Sequence, residues 1–550
     1  MRAPLVQIVI NDRLLPDVTD EAFRELVLRN EPPEIFVRHG RLVRVRSDEK
    51  HRPFVEDLSE NRLRHHLARV AEFVRETANG KRTPVHPPLA VVGDVLALPS
   101  WPRLPALEAL TEVPILRADG TVLDVPGYDA ATALVYCPAP GLMLPPIPAA
   151  PRREDAPRAI EAVADLFVDM PFTSRADFAN LLALLITPIV RPAITGQVPL
   201  ALVDKPKRGT GATLCVQVVA AIAFGSVTEL TTAPHDDEEW RKKITAALVA
   251  GSTFLWFDNV DHKLTSPSLA AALTTPEWRD RILGKSEMTR PLPQRATWVA
   301  TGNNLQLGGD LGRRSYRIRL DAGVARPWQR DGFRHPHLLR HVLRHRGELL
   351  AAILTAARAW FAADCPPADV PRLGSFEEWT RTVGGILAFA GVPGFLENLN
   401  ELYDEVDEDE QAWGAFLAAW HAYFGEDAVT VATVVAAARD GASELHDALP
   451  AELLDAFEAK GGTSFSKRLG RALARRAGAV FDCYRLERHG IQHQAIRWRV
   501  TRGSFGSSAS FFRPFETSQS DRSNPRTTPK NSPDSPNSPL ADGVHSELPF

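Results

Sequence analysis

The segment Pro199–Thr213 (PLALVDKPKRGTGAT) constrains this chain more than any other. A short apolar strand, Pro199–Val203, runs into a glycine loop, and an Ala- and Val-rich helix, Leu214–Phe224, follows at once. Strand, glycine turn and helix form the local context of a phosphate-binding loop. Gly209 and Gly211 let the backbone turn its N–H groups inward, and the helix N-terminus adds its positive dipole end. The expected cradle is Lys205, Lys207, Gly209, Thr210, Gly211, Ala212, Thr213 and Leu214, with the Thr213 hydroxyl placed for Mg²⁺. The usual pattern is GxxxxGK[ST]; here Pro206 stands for the first glycine and Ala212 for the lysine. That lysine places a charge on the β- and γ-phosphates. Lys207 is the first candidate to replace it and Lys205 the second. Taken alone, the loop also fits a glycine turn before a buried helix.

Two further strands follow. Thr253–Asp258 (TFLWFD) is apolar and closes in a carboxylate, as a Walker B strand must to present Asp258 to a metal shell. Ala296–Ala300 ends in Thr301-Gly302-Asn303-Asn304, where an amide from Asn303 or Asn304 is placed to hold an attacking water. Gly312–Arg317 then brings Arg313 and Arg314 beside a strand at Ile318–Asp321, suited to act as arginine fingers on a neighbouring subunit's nucleotide. Asn259 follows Asp258 where a glutamate is common, and an amide cannot take a proton from water.

On GTGATL at 209–214, FDNV at 257–260, RILG at 281–284, ATGNN at 300–304 and GDLGRRSYRIRL at 309–320, residues 153–330 resemble the AAA+ helicase module of phage and mobile-element primase–helicase proteins, the D5-like group close to superfamily 3. The resemblance implies ATP and Mg²⁺ as cofactors, with Asp258, Asn259, Asn303, Asn304, Arg313 and Arg314 in the catalytic set. It also implies a homo-oligomeric ring with single-stranded DNA in its channel. Arg281, Lys285 and Arg290, between the second and third strands, correspond to the DNA-facing segment; a solvated loop is the other reading of those charges.

The expected fold class is multidomain α/β. A central parallel-sheet P-loop ATPase spans 151–335 (core 197–330), after an α+β region at 1–150 and before a helical region at 336–427. A winged-helix-like domain at 428–502 and a disordered tail at 503–550 complete it. In the first region a hairpin turns at His39-Gly40, a helix covers Leu58–Thr77, and strands flank Asp119-Gly120. Helices are expected at about 153–168 and 174–186. The acidic run from Glu401 to Glu410 reads as a solvated face. His337, His341 and His345 fall at i, i+4 spacing, but the arginines around them favour a basic helix over a metal site. Asp236–Glu239 reads as a helix N-terminus with Glu238/Lys242 and Glu239/Lys243 pairs rather than a metal site. Formal net charge is −4, so any nucleic-acid surface must be local. Residues 463–502 supply one, with ten Lys or Arg against two acids. Lys467, Arg468, Arg471 and Arg475 would face outward from a helix that buries Phe465, Leu469 and Leu473. With a hairpin turning near His489-Gly490, this suits duplex DNA; a helical bundle with a solvated basic face is the alternative.

The four cysteines are far apart, no signal peptide is legible and no uncharged apolar run reaches membrane length, so a cytoplasmic protein without membrane contact is expected. From Gly503 the chain holds 11 Ser and 7 Pro, the composition of a disordered tail. No primase carboxylate cluster is evident, which leaves priming to a separate partner. Two functions are consistent with this reading. One is an ATP-driven DNA helicase or replication motor. The other is a nucleotide-dependent scaffold or loader with little turnover, recruiting replication or defence partners.

Overall fold

The structure is a computed structural model that describes residues 4–49, 51–225, 231–281, 288–440, 444–458, 462–492 and 495–503. The chain divides into two compact units between Ala412 and Trp413. The division lies inside the helix Leu399–Phe424 rather than at 428, because Trp413, Phe416, Leu417 and Trp420 belong to the second core. The expected limits at 150 and 335 do not separate compact units; residues 1–150, the ATPase segment and most of the helical region share the first. The expected tail lies outside the described residues from 504 on.

At the centre of the first unit is a five-stranded sheet, β1 (Leu200–Lys205), β2 (Thr231–Thr232), β3 (Phe254–Val260), β4 (Thr297–Asn303) and β5 (Ser315–Arg319). Its order is β2-β3-β4-β1-β5 and every pairing is parallel. Parallel strands are covered on both faces, and the sequences accordingly read as apolar runs rather than alternations. Leu200 to Lys205 are all buried, and so are Thr297 to Gly302. Helix α1 (Ala212–Phe224) follows β1; α2 (Asp237–Ala250) precedes β3 and α3 (Pro267–Thr274) follows it. The chain order reverses about β1: it leaves for the far edge at β2, returns through β3 and β4, and crosses to β5. The carboxyl end of β1 is thus a topological switch point, where open α/β sheets bind ligands.

The helix Arg175–Val190 is the one stretch long and apolar enough to cross a membrane among the described residues, and with its extension to Ala193 it is 83% buried in the core. Its start is capped by Ser174, whose Oγ accepts from the Asp177 N–H.

The region before residue 150 is built of small sheets. The His39-Gly40 hairpin forms as expected, with both residues at positive φ, and so does the Asp119-Gly120 turn. The expected helix at 58–77 is shorter. It spans Glu60–Val70, and the chain then becomes strand Ala71–Glu76, because these residues pair in parallel with Val6–Val9. Tertiary pairing outweighs the helical spacing of Val70 and Phe73.

In the second unit, helices Val431–Arg439, Ala451–Glu458 and Gly462–Arg475 precede an antiparallel ladder of Tyr484–Gln492 with Ala495–Arg502. The turn does not fall at His489-Gly490. The ladder runs on to the Gln492/Ala495 pair, with a register shift between Arg488 and Ile491 where Gly490 has positive φ. Val480–Phe481 pairs instead with Tyr484–Arg485 across Asp482.

Candidate nucleotide site

Strand β1 delivers the loop. Gly209 (φ +79°) and Gly211 (φ +113°) hold left-handed backbone, which explains their identity. A Cβ would be tight at both: one at Gly209 would stand 3.0 Å from the Trp328 Cβ, and one at Gly211 3.1 Å from the Met170 sulfur. The Thr210 hydroxyl donates to the Lys207 carbonyl at 2.7 Å and braces the turn. Gly211 ends the loop as the N-cap of α1, so the first N–H groups of this helix open onto the loop.

Forty-five residues on, β3 brings Asp258 to the same place. The Thr213 hydroxyl lies 3.5 Å from the Asp258 carboxylate. Two hard oxygens presented together at a switch point fit Mg²⁺, which takes few protein ligands and keeps waters and phosphate oxygens for the rest. Between β1 and β3 runs β4, and its Thr301, fully buried, bonds both neighbours of the site. Its hydroxyl donates to the Asp258 carboxylate and accepts from the Asn259 N–H at 3.2 Å. Thr301 carries no local sequence signal of its own. Only the insertion of β4 between β1 and β3 makes it a partner of Asp258.

The two candidate lysines part company. Lys207 is exposed and donates to the Val324 carbonyl at 3.3 Å, away from the carboxylate. Lys205 is buried at the end of β1, opposite Asn303 in the register. Burial lowers its pKa, while the neighbouring Asp258 and Asp204 carboxylates act in the opposite direction. Asp204, whose own pKa is raised by burial, accepts from the Leu305 N–H at 2.8 Å and ties β1 to the loop after β4. That loop carries Asn303, whose buried Oδ1 has no partner, and Asn304, exposed at φ +48° with its N–H on the Lys205 carbonyl.

Arg313 and Arg314 differ as well. Arg313 is 67% exposed and pairs with Asp310 at 2.8 Å. Arg314 is turned inward: Nη1 donates to the Ala270 carbonyl and the Thr274 hydroxyl, both at 2.5 Å, so it anchors the end of α3. Arg317, 4% exposed, is held by Glu405 at 2.6 Å and by Glu401 at 3.5 Å. Part of the acidic run is therefore no solvated face but the counter-charge of a buried arginine. A cavity of about 420 Å³ opens beside Gly209–Gly211, walled by Leu214, Met170, Phe333 and Leu338, with room for a base and sugar.

Of the expected DNA-facing segment, the described residues pair as Glu277–Trp278 with Leu292–Pro293, and Arg281 bridges Met288 beyond. Trp278 and Asp280 fasten it to α2, both through the Thr245 hydroxyl. Arg281 is exposed at its upper end; Lys285 lies outside the described residues. Arg290 is exposed too, but its guanidinium lies against Gly40 of the N-terminal hairpin, so it is committed within the chain. In the second unit Lys467, Arg468, Arg471 and Arg475 are exposed while Phe465, Leu469 and Leu473 are buried, the amphipathic division the sequence predicts.

Asp237 lies in the first turn of α2 and binds Ser266 and Ser268; Lys242 pairs with Glu238 and Glu239, but Lys243 donates to Thr232 instead of Glu239. His341 stacks on His345 and on His335 rather than His337, which sits at the helix N-cap. His235, Asp261 and His262 cluster beyond β3, but both nitrogens of His262 already have protein partners.

No family model matches this chain, and no curated protein is similar to it. Solved structures that resemble it include the C-terminal region of NrS-1 in an apo A form, at 11% identity over 84% of this chain and 96% of that one, with a TM-score of 0.33. Another apo structure of that region gives 12% identity, coverage of 84% and 96%, and a TM-score of 0.30. A JCV helicase with a bound thiazolopyridine compound gives 10% identity over 47% and 74%, with a TM-score of 0.20.

Proposed function

We propose that the chain is a P-loop ATPase that acts on DNA, a ring-forming helicase or replication motor of a phage or integrated element. The observation that carries this reading is the approach of Thr213 to Asp258 beside a left-handed glycine loop at the sheet's switch point. In this reading the loop N–H groups and the start of α1 hold the β- and γ-phosphates. Thr213 and Asp258 hold Mg²⁺, which bridges phosphate oxygens and offsets charge that develops there. Lys205, rather than Lys207, supplies the cation that Ala212 lacks, since it is the buried lysine beside Asp258. Asn303 orients water, and Arg313 is the arginine placed to reach a neighbouring subunit. The basic helix Gly462–Arg475 and the ladder after it act as a winged helix on duplex DNA.

The test is ATP turnover by wild type, Lys205→Ala, Lys207→Ala and Asp258→Ala, with and without single-stranded DNA at low salt. Loss of turnover in Asp258→Ala, a fall of about 100-fold in Lys205→Ala and near-normal Lys207→Ala are expected. Wild type that binds ATP without hydrolysing it points to the second reading, a nucleotide-dependent scaffold or loader on DNA. Ala212, Asn259 and the inward anchoring of Arg314 favour that alternative.

A further inference from the structure

At the opposite end of the central strands from the glycine loop lies a cavity of about 690 Å³. Thr253 and Thr297, at the amino ends of β3 and β4, form its floor, and residues of the N-terminal sheets form its roof. Its size is that of a small-molecule site. Its chemistry is unusual because four arginines line it against three acids.

Arg191 is 7% exposed and Arg38 is 9% exposed. Arg191 donates to the Ile194 carbonyl at 3.0 Å and to Gln197 Oε1 at 3.4 Å, both neutral, and its Nε has no partner. The Nε of Arg38 has none either. Arg295, about half exposed, stands at the rim, 3.7 Å from Glu108. Glu108 is the carboxylate common to all three: it acts on Arg191 and, together with Asp57, on Arg38 as well. A fourth lining arginine, Arg117, is already committed to Asp129 at 3.0 Å. The remaining acids add little: Glu112 is pushed toward its neutral form by burial, and Asp119 accepts from Thr121. Burial and the like charge of Arg295 push the Arg191 pKa down to about 9.

Arg191 and Arg295 share the one carboxylate of Glu108, and positive charge buried in excess of its counter-ions is costly. Planar forks of this kind match phosphate and carboxylate oxygens two at a time. The walls between them are apolar, with Phe54, Leu110, Pro192 and Phe224 among them. Together these features describe a charged pole and an apolar body.

We propose that this cavity binds a small organic phosphate of mononucleotide size, its phosphate on Arg191 and Arg295 and its base against the apolar wall. It is a second site, separate from the glycine loop by the length of the strands. It does not depend on ATP hydrolysis.

The probes are AMP and adenosine, titrated calorimetrically without Mg²⁺ into the full chain as wild type, Arg295→Met, Arg191→Met and Lys205→Ala. AMP is expected to bind wild type and Lys205→Ala alike, at least tenfold more weakly to Arg295→Met and Arg191→Met, and adenosine at least tenfold more weakly than AMP. Arg295 is half exposed, so its variant decides the matter if Arg191→Met does not fold. The proposal is overturned if AMP does not bind wild type, if Lys205→Ala removes the binding, if adenosine binds as well as AMP, or if Arg295→Met binds AMP as wild type does.

Discussion

Asp258 is useful only because something holds it still. Its carboxylate has the Thr301 hydroxyl on one side and Thr213 on the other, and Thr301 in turn fixes the Asn259 N–H. Asn259 sits at φ +55°, within a break in the β3–β4 register, a conformation that asparagine tolerates better than most residues. Thr301→Val keeps the shape and removes the hydroxyl. It is expected to cost about 1–3 kcal/mol of stability, the penalty for a buried group left unpaired. It should also weaken Mg²⁺-nucleotide binding more than nucleotide binding in EDTA. Equal losses in both conditions would reduce Thr301 to a core threonine. The glycine loop makes a sharper demand. Gly211→Ala meets both a left-handed φ and the Met170 sulfur, so it should abolish nucleotide binding at a stability cost of about 1–2 kcal/mol, with the fold retained. Unchanged affinity would show that the loop is only a turn.

At the scale of elements, what was legible in the sequence was local. The glycine loop, the apolar strand into Asp258, the His39-Gly40 hairpin and the amphipathic helix at 462–475 each depend on residues a few positions apart, and spacing exposes them. Thr301, Lys205 and the anchoring of Arg314 depend on which strand lies beside which. No period in the sequence encodes the insertion of β4 between β1 and β3. The shortened helix at 58–77 failed for the same reason: its last residues answer to Val6–Val9, far away along the chain. The helix at 462–475 permits a direct test. Replacing Lys467, Arg468, Arg471 and Arg475 by Gln should lower duplex affinity at least tenfold and flatten its salt dependence, with the melting temperature little changed. Binding that persists with the same salt slope would place the DNA contact elsewhere.

On the scale of the whole molecule, charge explains how acid should act. His39 lies in the turn of the N-terminal hairpin between Arg38 and Arg41, and burial and those two arginines push its pKa down to about 4 from an ordinary 6.5. Between these values the unfolded chain holds the proton and the folded one does not. Stability should therefore fall as pH drops from about 6.5 toward 4, by at most about 3 kcal/mol from this group. His39→Asn keeps a residue suited to φ +47° and removes the titration, so its acid limb should be flatter. An identical limb in wild type and variant would assign acid sensitivity to other groups.

The packing of Trp328 on Gly209 makes the molecule its own optical instrument. Of the 11 tryptophans, Trp328 alone stands with the exposed large apolar side chains, at 62% exposure, whereas eight others are among the largest fully buried side chains. An aqueous quencher such as iodide thus selects one indole out of the whole emission, and that indole touches the loop through which phosphates would be gripped. Whatever fills the loop must change how iodide reaches Trp328, so occupancy can be followed by light, without a label and without waiting for hydrolysis.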